Sequence, residues 1–324
     1  MLKYFGFRLL ALLPKLLIIT IVIFIGIQYI PGDAVTRSIP PEQYMKLSPV
    51  QLDELRTKLG LNDSVFLQYF RWVGNILKGD FGYSLVSGGS IAQIIGQRLP
   101  ATLELAGCGL FIAMVFGLLL GFISALKKNT VIDYANTAFG MIGLSVPEFF
   151  LGLCMIVIFA LNLKWFPTGG RIVIGKEALF DRLQFLVLPS ISLGFTYIAT
   201  LMRFTRGSML DVLSKDYIRT ARSKGLSEVK VNVKHGFRNA LIPVMVVLIF
   251  RIPMLVGGTV VIENAFNYPG MGSMLVNAVN GSDMPLIMMT TLIIAFVILL
   301  SSFLLDVITA LLDPRIAFGA GKEG

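Results

Sequence analysis

The stretch from Asp216 to Pro243, DYIRTARSKGLSEVKVNVKHGFRNALIP, gathers Arg219, Arg222, Lys224, Lys230, Lys234 and Arg238 around the chain's one histidine, His235. Cations at this density do recognition chemistry, because guanidinium and ammonium groups pair with carboxylates and phosphates. Covalent chemistry is harder to build here. A Ser–His hydrolase needs a serine beside the histidine, and no GxSxG occurs. No GxxxxGK[ST] occurs, so the chain builds no nucleotide-binding P-loop of its own. Cys108 and Cys154 lie in apolar runs outside any CxxC spacing and read as small packed hydrophobes. With one histidine, a metal site built on several His or Cys is not available. Two further charges, Glu148 in SVPEFFLG and Arg251 in VLIFRIPMLVGG, stand in the middle of long apolar stretches.

What must position these residues is a set of membrane helices. Of 324 residues, 55% are hydrophobic and only 15% charged, where a soluble domain carries about 25% charged residues. The mean hydropathy is +0.79. The net charge of +9 does not point to nucleic acid, because the basic residues flank apolar runs. Lipid headgroups and the positive-inside rule account for that distribution. A spanning helix needs about 20 mostly apolar residues, and six segments qualify: 9–30, 102–126, 135–161, 185–205, 241–262 and 285–311. The first ends in IQYIPGD with no small-x-small cleavage site, so it reads as a retained helix and not a signal peptide.

Lys3 and Arg8 place the N-terminus inside, and Lys127 with Lys128 then fall in an inside loop. The connection 206–240, with Arg206 and Lys215 added to the basic set above, falls inside too, as do Arg315 and Lys322 in the tail. The loop 263–284 holds no Lys or Arg and falls outside. One loop conflicts: 162–184, also outside, carries Lys164, Arg171, Lys176 and Arg182. The long outside segment 31–101 is expected to fold. SPVQLDELRTKLG reads as a helix with Ser48 as N-cap, Pro49 in first position, Leu52, Leu55 and Leu59 on one face and Gly60 past the end. FLQYFRWVGNILKG reads as a second.

Within 206–240, Leu210, Leu213, Tyr217 and Ala221 share one helical face, while Lys215, Arg219 and Arg222 share another. Ala221 and Gly225 are small enough for another backbone to approach, and Gly225 tolerates the positive φ of a turn. The following SEVKVNVK has two readings. Val229, Val231 and Val233 alternate as in a strand, yet Leu226, Val229, Val233 and Phe237 also fit a helical face. On charge alone the segment is a solvated basic loop.

DYIRTARSKGL followed by HGFRNALIP resembles the cytoplasmic coupling loop of ABC-importer permeases, in the form carried by the dipeptide/oligopeptide/nickel subclass. Thr220 and Ala221, with Gly225 following, match that loop's small pair and glycine. The same subclass is matched in order by IPGD (30–33), LGL (59–61), GDFGYSL (79–85), RLPATLEL (98–105), VVIENAFNYPGMG (260–272) and LDPRI (312–316). The resemblance covers essentially the whole chain. It implies an all-α polytopic membrane protein with six spans. These divide as an N-terminal span (1–30), an extracytoplasmic helical segment (31–101), a five-helix core (102–311) containing the loop 206–240, and a cytoplasmic tail (312–324).

The resemblance further implies a bacterial or archaeal plasma-membrane subunit that imports peptides, or nickel chelates or other small solutes of the same subclass. Its partners would be a second homologous permease, two ATPase subunits that hold ATP and Mg, and an extracytoplasmic solute-binding protein; no cofactor would reside in this chain. The loop would form short helices seated in a cleft of an ATPase. Tyr217, Arg219, Thr220, Ala221, Arg222, Lys224, Gly225 and Leu226 are the expected docking residues. The related permeases carry uncharged residues at Glu148 and Arg251. Either the two line a translocation cavity and meet the ends of a zwitterionic peptide, or they form a structural ion pair with each other or with the partner. Pro147 and Pro253 each remove a helical hydrogen bond, as cavity-lining helices allow. Gly257 and Gly258 permit close helix approach. With Phe266 and Tyr268 of FNYPGMG, they are candidates for an external gate or a binding-protein contact; a purely structural loop is the other reading. A self-sufficient secondary transporter or channel is the rival from another class, and an intramembrane enzyme lacks a nucleophile–base pair.

Overall fold

The computed structural model describes residues 2–30, 45–58, 60–172 and 179–312. Expectations resting on Pro31–Asp33, Leu59, Lys176, Arg315 and Lys322 lie outside these residues. The described chain is helical: α1 (Leu2–Leu10), α2 (Leu12–Gln28), α3 (Pro49–Lys58), α4 (Val65–Leu77), α5 (Ile91–Leu126), α6 (Val131–Ser145), α7 (Glu148–Asn162), α8 (Leu179–Leu213), α9 (Asp216–Ser223), α10 (Glu228–Ala265), α11 (Met271–Asn280) and α12 (Met284–Leu312). Among the described residues the β component is one isolated bridge between Tyr83 and Ser90. Five helices are long and apolar enough to cross a membrane: Phe5–Gln28, α5, α8 from Asp181, α10 and α12 to Thr309. The pair α6–α7 makes a sixth if counted as one bent span.

The third expected span, 135–161, is therefore not a straight rod. Proline disfavours the α conformation in the residue before it. Val146 accordingly sits extended at ψ 124° and Pro147 at ψ 135°, and α6 and α7 meet at 104°. Pro253 behaves differently: it lies with Pro243 inside an unbroken α10. Lost hydrogen bonds in a helix interior are tolerated when neighbouring helices pack around them.

The chain forms two compact units. One comprises residues 102–269 and the end of α12 from residue 300. Its centre is α8, which has 72% of its most apolar window buried against 33% for α5 and α10, and which packs on α10, α6 and α7. Small residues let α5 lie against it. A Cβ on Gly117 would come within 2.6 Å of Leu201 Cβ, and one on Gly121 within 2.6 Å of the Met202 carbonyl oxygen. This G-x-x-x-G spacing brings two backbones together where lipid supplies no hydrophobic drive. Ala113, Ile198, Leu201, Val244 and Leu248 fill the space among α5, α8 and α10.

The other unit comprises residues 2–101 and 270–299. Ile91, Ile95, Met271, Met274, Met289 and Leu292 form its core, with Trp72 and Ile76 of α4 against it. The Tyr69 ring meets Phe24 edge-on at 5.4 Å, and the Tyr69 and Thr20 hydroxyls are 2.9 Å apart. Both short helices start as their sequences predict. Ser48 Oγ accepts from Gln51 N–H while Gln51 Oε1 accepts from Ser48 N–H, a reciprocal capping box. Ser64 Oγ accepts from Leu67 N–H. Asp283 begins α12 in the same way, accepting from Leu286 N–H while also taking Ser84 Oγ–H and Leu85 N–H.

Candidate functional site

The basic segment folds as two helices around a tight turn. α8 ends at Leu213, and Lys215, extended at ψ 149°, starts α9. The expected single face from Leu210 to Ala221 is broken there. Tyr217 turns outward at 45% exposure, and Ile218, fully buried, takes the inward place. Ile218 and Ala221 pack on Val231, with Leu213 and Leu226 alongside. The close approach that Ala221 permits is thus to this chain's own helix. Gly225 holds φ +75° at the turn, a conformation costly for residues with a Cβ. Nothing lies within 4 Å of where its Cβ would be.

The stretch 227–234 is helical. Ser227 precedes the first turn of α10, and residues Val231–Phe237 form a wider π-type turn within it. The inward face is Val231, Gly236 and Ala240. Val229 and Val233, which the helical reading of the sequence placed inward, are 74% and 49% exposed. Arg222 is bidentate on Glu228, at 2.9 and 3.3 Å, and clamps the two sides of the turn. Arg219 reaches Asp216 at 3.6 Å on an open surface, a pair of little energetic weight. Thr220 and Lys224 are exposed. The loop therefore presents Tyr217, Val229, Val233 and a fringe of cations on a framework locked from within.

Glu148 and Arg251 are both half-buried and do not pair with each other: among the described residues no ion pair joins them. Glu148 opens α7, where the helix N-terminus favours a carboxylate. Its Oε1 lies 3.2 Å from the place a Cβ on Gly258 would take, so Gly258 makes room for it. Arg251 Nη1 lies 3.6 Å from Met254 Sδ. Tyr197 of α8 is in electrostatic reach of both charges. Gly257, by contrast, faces open space.

Phe266 and Tyr268 sit deep inside, at 1% and 0% exposure, which withdraws them from any contact with a binding protein. The Phe266 carbonyl accepts from Gly170 N–H at 3.0 Å, and its ring packs against Gly152. Tyr268 Oη–H donates to Glu104 Oε2 at 3.3 Å. Burial, with the Glu104 charge adding to it, pushes the Tyr268 phenol above its ordinary pKa and keeps it a donor.

Glu104 is the residue that explains the conflicting loop. Arg171 Nη2 binds its carboxylate at 2.6 Å and Arg182 Nη2 at 3.0 Å. Burial opposes the Arg171 charge, but the Glu104 contacts outweigh it and hold its pKa above the usual guanidinium value. The two arginines that defied the charge pattern thus neutralise a carboxylate. The test that found Glu148 and Arg251, a charge inside an apolar run, also fits Glu104. The same test fits Glu263, which is fully buried and accepts from Thr102 at 2.6 Å. A second staple joins α6 to α8: Asp133, 1% exposed, binds Arg206, Ser124 Oγ–H and Asn129 N–H. Among the described residues no group of three or more His, Cys, Asp or Glu could hold a metal ion.

Comparison with known proteins agrees with this geometry. Residues 117–318 match the family described as binding-protein-dependent transport system inner membrane component, and residues 1–106 match the N-terminal family of the same systems. The chain is 41% identical over 313 residues to the oligopeptide transport system permease protein AppB of Bacillus subtilis, covering 96% of this chain and 98% of that one. It is 37% identical over 319 residues to the glutathione transport system permease protein GsiC of Escherichia coli K12, covering 98% and 100%. Among solved structures, an inward-facing form of the MetNI methionine ABC transporter superposes with a TM-score of 0.55 at 16% identity. It covers 68% of this chain and 96% of that one, and this likeness shows the fold alone. The chain belongs to the binding-protein-dependent transport system inner membrane component family: it is a multi-pass permease subunit of an ABC importer, a transporter and not a catalytic subunit.

Proposed function

We propose that this permease imports peptides as one of two homologous membrane subunits, together with two ATPase subunits that hold ATP and Mg and an extracytoplasmic solute-binding protein. The observation that carries the peptide reading is the end-to-end kinship to permeases named for oligopeptide and glutathione transport. In this reading the protein lies in the plasma (inner) membrane with both termini and the loop 206–240 in the cytoplasm. The span 1–30 leads to an extracytoplasmic segment 31–101, the core 102–311 carries the path, and the tail 312–324 is cytoplasmic. The distribution of Lys and Arg supports that orientation, and pairing of Arg171 and Arg182 with Glu104 removes the main objection to it.

α9, the Gly225 turn and the start of α10 dock on the ATPase. Tyr217, Val229 and Val233 supply apolar contact, and Arg219 and Lys224 meet acidic groups. A rigid framework around Ile218, Ala221 and Val231 converts movement of the ATPase into movement of α8 and α10. Glu148, Tyr197 and Arg251 line the path and bind the ammonium and carboxylate ends of the cargo. The test is co-expression and purification followed by reconstitution in vesicles. The expected result is a stable complex with two P-loop subunits whose ATP hydrolysis rises with the binding protein and peptide. Ion-driven uptake by the purified chain alone would sink the proposal.

A further inference from the structure

We infer that the chain carries an anionic phospholipid site, with one acyl chain in a groove between α5 and α8 and the phosphate on Arg182 and Arg171. The groove, a cavity of about 230 Å³, is lined by Gly107, Phe111, Ile112, Leu183, Leu186 and Val187. Its walls are almost wholly apolar and offer water no useful hydrogen bonds, so an apolar chain fits it better than solvent does. It is open to the surroundings: Phe111 and Leu183 are 62% and 44% exposed, and no atom lies within 4 Å of where a Gly107 Cβ would stand.

Charge complementarity decides the occupant. Glu104 lies four residues before Cys108, which also borders the groove, and Arg182 lies four residues before Leu186. Residues at i and i+4 share a helix face. The Glu104–Arg182 bridge therefore caps the groove on the same two faces, about 6 Å further along the axes. That cap holds two guanidiniums on one carboxylate, an excess of one positive charge, and Asp181 pairs with neither arginine. Arg182 keeps 35% of its side chain exposed and has donors left for a phosphate oxygen. It stands where the apolar part of α8 begins, at headgroup depth. A cationic cap one turn above a dry groove is the shape of a phospholipid, and the surplus charge selects an anionic one.

The test uses the purified full-length chain, delipidated and exposed to phosphatidylglycerol or phosphatidylcholine in nanodiscs, with retained lipid counted by native mass spectrometry. One surplus cation near the headgroup predicts about a fivefold preference for phosphatidylglycerol. Gly107→Leu, which fills the groove without meeting any atom, removes retention while the thermal melt stays unchanged. Arg182→Gln equalises the two lipids, and Arg182→Lys restores the preference. Undiminished phosphatidylglycerol retention in Gly107→Leu, or equal retention of the two lipids by the parent, overturns the inference. So does a cross-link from Cys108 to another polypeptide in the assembled importer, because protein would then cover the groove.

Discussion

Arg206 grips both carboxylate oxygens of Asp133, Nε to Oδ1 at 2.7 Å and Nη2 to Oδ2 at 2.8 Å. The carboxylate is nearly sealed while the guanidinium keeps 31% of its surface. Removing one side of such a pair is worse than removing both, because the remaining buried charge is left uncompensated. Arg206→Met should therefore lower stability by about 3–5 kcal/mol. The double variant Arg206→Met with Asp133→Leu should recover most of that loss, read as detergent-solution melting midpoints. Equal melting of single and double variants would show that the pair carries no coupling.

The loop before α8 and the end of α10 are joined where Gly169 faces Phe266. A Cβ on Gly169 would fall 2.1 Å from the Phe266 carbonyl oxygen, a backbone atom that cannot swing aside. Gly169→Ala should displace that carbonyl and break its bond from Gly170. The expected loss is about 2–4 kcal/mol, among the larger effects of single substitutions. Gly257→Ala is the control: it faces open space on a helix and should leave the melt within about 0.5 kcal/mol of the parent.

Val229 offers a separation of folding from coupling. It is 74% exposed, so Val229→Asp should shift stability by less than about 0.5 kcal/mol. The same change places a carboxylate in the apolar contact proposed for the ATPase. Peptide-stimulated ATP hydrolysis of the assembled complex should fall at least tenfold, about 1.4 kcal/mol of coupling. Gly225→Asp should give the same loss of stimulated hydrolysis with the chain still in the membrane. Full stimulation in both variants would remove the docking role from this surface.

Glu148 and Arg251 can be told apart by substituting each alone. As separate cargo-binding groups, Glu148→Gln and Arg251→Gln should each assemble normally and each reduce uptake. The carboxylate variant should discriminate against peptides by their free amino terminus, and the arginine variant by their free carboxyl terminus. Uptake assays with N-acetylated and C-amidated peptides read this directly. Loss of assembly in both variants would assign the charges to structure instead.

Much of this molecule is legible in the order of its residues, because the relevant forces are local. Apolar length marks the spans. Ser48, Pro49 and Ser64 mark helix starts, and Gly225 marks a turn. The illegible parts are those where tertiary partners decide. Glu104 finds Arg171 and Arg182 at separations of 67 and 78 residues, and no spacing rule spans such distances. The choice of Ile218 over Tyr217 as the inward residue depends on the break at Lys215, which re-phases α9 by a fraction of a turn. Val231 became the buried valine for the same kind of reason: the face that looked apolar in sequence is the one left exposed for contact.

The wide turn at Val231–Phe237 also sets a clock for everything after it. A π-type turn houses one residue more than an α turn in the same rise. Each residue of an α-helix advances the side-chain direction by about 100°. The azimuth of Arg251, Gly258 and Glu263 relative to the docking end of α10 is therefore held by a single surplus residue. A chain shortened by one residue within 231–237 would keep every span, every cap and every motif. It would nevertheless rotate its half of the pathway by more than a quarter turn, and length at that one place is the property such a permease can least afford to vary.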